Sequence, residues 1–259
     1  MGKLDGAKVK IARAARHIQE LDAAARAYLA SAPFALDCVE LPNGDLLWRV
    51  KIRDAVPIEW SAIIGDAVHN LRSALDLLAW QLVDANGAIP SQGTCFPVTR
   101  SGPNHFTELR RRALKGAETR AVRFVARLKP FGGGNEILVQ LHALDISDKH
   151  RLTLVVGSAY KHLVMKMKMV VPWQDNPVEF PPIAINPADR QFPLRDGAEV
   201  FRICAAARRS EDRTEFSPVF ELAFGSVEEV KGLPLVETLQ SMHRHVSRIV
   251  KIADEHFFG

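Results

Sequence analysis

Cysteine is scarce: Cys38, Cys95 and Cys204 are the only three in 259 residues, and no two of them form a Cys-x-x-Cys pair. Neither a disulfide framework nor a structural zinc ribbon is expected, and the thiols read as the reduced residues of a cytoplasmic protein. Long apolar runs are missing as well. No stretch approaches the roughly 18 consecutive apolar residues of a membrane span, so no membrane partner is expected. The basic N-terminal segment also lacks the apolar core of a signal peptide.

Several catalytic signatures are absent too. No serine sits in a Gly-x-Ser-x-Gly elbow, and no His-Glu-x-x-His or Glu-x-x-His pair occurs. Gly132-Gly133-Gly134 lacks the Lys-Ser/Thr of a phosphate loop and reads as a plain loop. Met165, Met167 and Met169 alternate with Lys166 and Lys168, which marks a strand with a packed face rather than a copper site. No cofactor follows from any of these segments. Net charge is only +4, so the bulk composition gives no argument for nucleic acid.

What is present is an ordinary globular composition with clear periodicities. Leu4 to Ala30 is rich in Ala, Arg and Lys and reads as a helix. Phe34 to Leu41 and Leu46 to Arg53 flank Asn43-Gly44, a hairpin signal because Asn-Gly accepts the positive φ of a tight turn. A helix from about Pro57 to Ala85 follows, stopped by Asn86-Gly87. A basic stretch, Asn104 to Lys129, is expected to be helical, and Glu136 to Ile146 forms another helix. From Leu152 the pattern turns to β, with strands over Leu152–Val156, His162–Val171, Val178–Ile185, Glu199–Ala206 and Glu215–Phe224. A last helix covers Leu235 to Phe257. The expected fold is α+β: a helical N-terminal half with one β-hairpin (34–53), packed with a largely antiparallel C-terminal sheet and a final long helix. A division into 1–151 and 152–259 follows, within what can be one continuous domain.

The central helix carries the chemistry. At about 100° per residue, Asp66, Asn70, Ser73, His69 and Asp76 fall on one side and the leucines on the other, with Arg72 at the border. Leu77 and Trp80 interrupt the polar side, which suggests partial cover, and covered carboxylates need partners. A second cluster, His142, Asp145, Asp148, Lys149, His150 and Arg151, lies at a helix-to-strand transition. A third feature is basic: Arg110, Arg111, Arg112, Lys115, Arg120, Arg123, Arg127 and Lys129 stand against Glu108 and Glu118 alone. Phosphate groups are the natural partner of such a segment.

HNLRSALDLLAWQL (His69 to Leu82), LKPFGGG (Leu128 to Gly134) and LHALDISDKHRLT (Leu141 to Thr153) resemble a family of bacterial proteins that carry HNLRSALDHLAWQL and DKHR motifs and have no established activity. The family helix is in turn similar to the R-x4-6-H motif of HEPN ribonucleases, in which Arg and His cluster at a dimer interface to cleave RNA. Arg72 matches that arginine, but Leu77 stands where the histidine would be, so any general acid or base must come from elsewhere, for instance His69 or His150.

Two functions are therefore expected in competition. One is an RNA-directed, HEPN-like binding module or degenerate ribonuclease, dimeric through its helical half. Arg72, His69, Asp76 and His150 would be its catalytic candidates, and Arg110, Arg111, Arg112, Arg120, Arg123, Arg127 and Arg151 its RNA contacts. The other is a non-enzymatic structural or interaction protein, in which Asp66, Asn70 and Asp148 join the same residues in a buried polar network. A metal-dependent hydrolase is a more distant alternative, built on Asp66, His69 and Asp76 with His142, Asp145, Asp148 or His150.

Overall fold

A computed structural model describes residues 2–150, 156–169, 178–179, 183–185, 194–205 and 213–259. Six helices and seven strands are described, in the order α1 (Asp5–Ala30), β1 (Phe34–Glu40), β2 (Leu46–Ile52), α2 (Trp60–Asp84), α3 (Pro103–Ala113), α4 (Thr119–Arg127), α5 (Glu136–His150), β3 (Val156–Met169), β4 (Val178–Glu179), β5 (Ile183–Ile185), β6 (Glu199–Ile203), β7 (Arg213–Phe224) and α6 (Leu235–Phe257). The fold is α+β, with the hairpin in the N-terminal half and a long helix at the end.

The chain forms two compact units, each assembled from separated segments. The first comprises residues 1–23, 58–155 and 226–259, and the second residues 24–57 and 156–225. In the first unit α2 packs against α5 and α6, and α5 also meets α6. Each helix turns an apolar stripe inward: Ile64, Leu71, Leu75, Leu78 and Leu82 from α2, Leu138, Leu141 and Leu144 from α5, and Leu239, Met242, Val246 and Ile249 from α6. Burial of these side chains, at roughly 1.5–3 kcal/mol each, is the main force holding the helices together.

Two boundaries differ from the sequence expectation, each for a local reason. The central helix starts at Trp60 with Glu59 as its cap, because Ile58 and Glu59 form a turn in which Ser61 N donates to Ile58 O. The basic stretch is two helices, because Gly116 takes φ +92° and Ala117 N turns back to Leu114 O. The strand expected over Leu152–Val156 lies outside the described residues except for Val156, where β3 begins.

The second unit is antiparallel throughout its described strands. β2 lies between β1 and β6, and β3 pairs β7 on one edge and β4 and β5 on the other. The β1–β2 turn is the Asn43-Gly44 turn the sequence implies, with Gly44 at φ +83°. Asp45 closes it, accepting from Asn43 Nδ2 at 3.0 Å and from Ala205 N at 2.8 Å. Val50 and Leu194 form a small core, with Ile52, Ala198, Val200 and Phe220 against it.

Candidate functional site

Within the first unit, α2 meets the segment after it through Arg72 and Asp76. These are i,i+4 neighbours, so they share a face of α2. Arg72 Nη2 donates to Asp76 Oδ1 at 2.8 Å and to the carbonyl of Phe96 at 2.6 Å. Asp76 Oδ1 in turn accepts from the Phe96 N–H at 2.8 Å. Both backbone polar groups of one residue are thus gripped by a salt-bridged pair, which clamps the 94–99 segment onto α2. Phe96 itself is fully buried.

The same segment is pinned on its far side. Thr99 N donates to Pro130 O, and Gly132 N reaches the carbonyls of Thr99 and Ser101. A Cβ at Gly132 would collide with the Arg100 carbonyl, so Gly132 is where this segment docks on the backbone.

Between these supports lies a cavity of about 420 Å³, lined by Arg72, Cys95, Phe96, Val98, Thr99, Arg100, Ser101, His105, Leu109 and His142. Arg72 is only 7% exposed, and its Nη1 has no hydrogen-bond partner among the described residues. Burial, followed by the nearby Asp76 carboxylate, pushes the Cys95 thiol up, against the opposing pull of Arg72 and Arg112. Cys95 is therefore a neutral group at this wall and not an activated nucleophile.

A second constellation sits on the neighbouring face of α2. His69 Nδ1 lies 3.3 Å from Asp145 Oδ1, and the Ser73 hydroxyl lies 3.4 Å from His69 Nε2. Asp145 is buried, whereas the His69 side chain is 53% exposed. A buried carboxylate at Nδ1 favours the tautomer with its proton there, leaving Nε2 to accept from Ser73. This is the geometry of an oriented base. It lacks an oxyanion hole, however, because Ser73 lies mid-helix, where neighbouring N–H groups are spent on the helix itself.

Two residues of the second cluster reach α2. Asp145 reaches His69, and the Asp148 carboxylate covers Gly65, where a built Cβ would lie 2.6 Å from Asp148 Cγ. Asp66 is exposed, and its carbonyl accepts from Asn70 Nδ2 at 2.7 Å. Leu77 packs by the first turn of α1, 3.6 Å from a Cβ built at Gly6, and Trp80 is 40% exposed. The side chain of His150 and all of Arg151 lie outside the described residues.

Asp145 had a signal in the sequence. It follows Leu138 and Leu141 at helical spacing, so it falls on the apolar stripe of α5, where an acid needs a partner. Arg100 and His105 have the Arg-x4-His spacing, but Gly102 and Pro103 between them rule against one helix carrying both, and only the fold brings them beside Arg72.

The basic helices keep their charge outward. Arg111 pairs with Glu108 and Arg120 with Glu118. Arg110 lies over the Phe106 ring at 5.5 Å and Arg120 over Phe257 at 5.4 Å. Arg112, Lys115, Arg123, Arg127 and Lys129 are exposed and have no ion-pair partner among the described residues.

Among the described residues no group of three or more His, Cys, Asp or Glu could hold a metal ion, and no helix is long and apolar enough to cross a membrane. None of the three cysteines is in a disulfide. No family model, no curated protein and no solved structure matches the chain.

Proposed function

We propose that this is a cytoplasmic RNA-binding protein whose nucleic-acid surface is the α3–α4 pair. The observation that carries the reading is the set of five exposed cations, Arg112, Lys115, Arg123, Arg127 and Lys129, that no carboxylate among the described residues neutralises. Unpaired cations on two short helices and the turns that follow them suit a phosphate backbone, which releases its counterions on binding. The reading is one of binding rather than cleavage. Leu77 cannot exchange a proton, and Arg72 Nη2 is committed to Asp76 and Phe96.

The test is fluorescence anisotropy with a single-stranded RNA bearing a 5′-hydroxyl, across a salt series. Replacing Arg112, Arg123 and Arg127 together by Gln should weaken binding about tenfold or more, and should flatten the salt slope by about 0.7 for each phosphate the variant no longer neutralises. No measurable affinity at about 50 mM salt would overturn the reading.

One observation favours a second reading, in which the polar stripe serves structure alone. Arg72 and Asp76 together hold the backbone of Phe96, as members of a fold-locking network would. On that reading Arg72→Ala lowers stability and leaves RNA affinity per folded molecule unchanged.

A further inference from the structure

We propose that the 420 Å³ cavity beside Arg72 is a binding site for a phosphate monoester carried on a small organic body. This inference stands apart from the RNA-binding surface on α3 and α4 and does not rest on it.

The first argument is the orphaned donor. A guanidinium N–H buried without an acceptor costs on the order of 1–3 kcal/mol, more when charged, so a side chain kept there asks for a partner. Arg72 Nη1 is in that position in the wall of the cavity, with less than 1 Å² of its own surface open, so it meets a ligand oxygen only as the side chains beside it give way.

Sign and number come next. The lining holds two arginines and two histidines and no carboxylate. The acids that pair with these arginines, Asp76 with Arg72 and Glu229 with Arg100, stand outside the lining.

Geometry then selects among anions. A planar carboxylate is best held by the paired N–H groups of one guanidinium. Arg72 cannot offer that pair, because its Nη2 already serves Asp76 and Phe96. The donors of the lining come from different directions: Arg72 from α2, Arg100 and Ser101 from the loop and His105 from α3. Single contacts converging from several elements suit the tetrahedral oxygens of phosphate. The volume is that of a small-molecule site, roughly 300–1,000 Å³, and exceeds what a bare phosphate fills. Phe96, Val98 and Leu109 supply apolar wall for an organic remainder.

The experiment is calorimetric titration of the full chain with inorganic phosphate, then phenyl phosphate, then phenol. Because Arg72 also holds the loop, the diagnostic variant is Arg100→Gln with His105→Gln, both exposed residues whose replacement leaves the buried clamp intact. Phenyl phosphate should bind with unit stoichiometry and more tightly than inorganic phosphate, phenol should not bind, and the double variant, which also loses the Arg100–Glu229 ion pair and so melts lower, should weaken binding about tenfold while still folded. No saturation by phenyl phosphate up to about 10 mM, equal binding of phenol, or full affinity in the double variant would each overturn the proposal.

A further pair of titrations separates the sources of the phosphate. If a 5′-phosphorylated oligoribonucleotide outbinds its 5′-hydroxyl counterpart, and the double variant abolishes the difference, the occupant is an RNA end. If the two oligonucleotides bind alike while phenyl phosphate still saturates, the occupant is a free small phosphate ester. RNA binding by the wild type without phenyl phosphate binding shows that this proposal alone has failed, and phenyl phosphate binding without RNA binding shows that the RNA-binding reading alone has failed.

Discussion

The carboxylate of Asp148 on α5 lies directly over Gly65 of α2, and no side chain larger than hydrogen fits between them. Glycine inside a helix ordinarily costs about 1 kcal/mol relative to alanine, so exchanging it should stabilise. Here the sign reverses. Gly65→Ala should destabilise by about 1–3 kcal/mol, because the new methyl must displace a carboxylate or push the helices apart. Urea denaturation of the single variant decides it, and a gain in stability would show that the close approach is absent in solution.

The Arg72–Asp76 clamp makes a matching prediction about coupling. Arg72→Ala leaves the Phe96 carbonyl and a half-buried carboxylate without their main partner and should cost roughly 2–4 kcal/mol. Adding Asp76→Ala should cost much less than the sum of the two single changes, since each residue's role depends on the other. A double-mutant cycle by denaturant unfolding measures the difference, and strict additivity would remove the clamp.

At His69 the geometry specifies a tautomer. With Asp145 Oδ1 at Nδ1 and the Ser73 hydroxyl at Nε2, the neutral ring carries its proton on Nδ1. Long-range ¹H–¹⁵N correlation spectra should show that form in the wild type and lose it in Asp145→Ala. Finding the Nε2–H form in the wild type would mean that the buried acid does not orient the ring.

Acid sensitivity should come from the C-terminal helix. Burial lowers the His245 pKa, helped by Arg248, and burial likewise lowers that of His243 against the opposing pull of a hydrogen bond to the Ile11 backbone. Asn135 Nδ2, 2.9 Å from His245 Nε2 and also bonded to the Leu128 carbonyl, donates to a neutral ring. The unfolded state therefore takes up protons at a higher pH than the folded state. The stability these groups contribute is complete above about pH 6.5 and is lost as pH falls below that value toward the lowered folded pKa. Melting temperature should fall between about pH 7 and pH 5, and fall less steeply in His245→Gln. Equal slopes in the two proteins would rule out His245 as a source.

Local signals in the sequence located most elements. The period of Val236, Leu239, Met242 and Val246 marks α6 over its full length, and Asn43-Gly44 marks the hairpin turn. Where the reading missed, one or two residues tipped the balance: Gly116 splits α3 from α4, and the turn at Ile58 and Glu59 delays α2. The site was legible only in part. Arg72, His69 and Asp76 stand out because they share one helix face, whereas Asp145 gains its meaning from a partner 76 positions away. Arg100, His105 and Gly132 gain theirs from loops that meet only in the folded chain.

The segmented make-up of the helical unit has a consequence for biogenesis. Its core needs α6, which packs on both α2 and α5 and is made after both. During translation the apolar stripes of α2 and α5 stay without their partner until residue 257 has cleared the ribosome, long after Leu71 and Leu141 have emerged. The β unit waits in the same way for β7. Nascent chains truncated before α6 should therefore be open to proteases and engaged by holding chaperones, and emergence of α6 should close the core in one step.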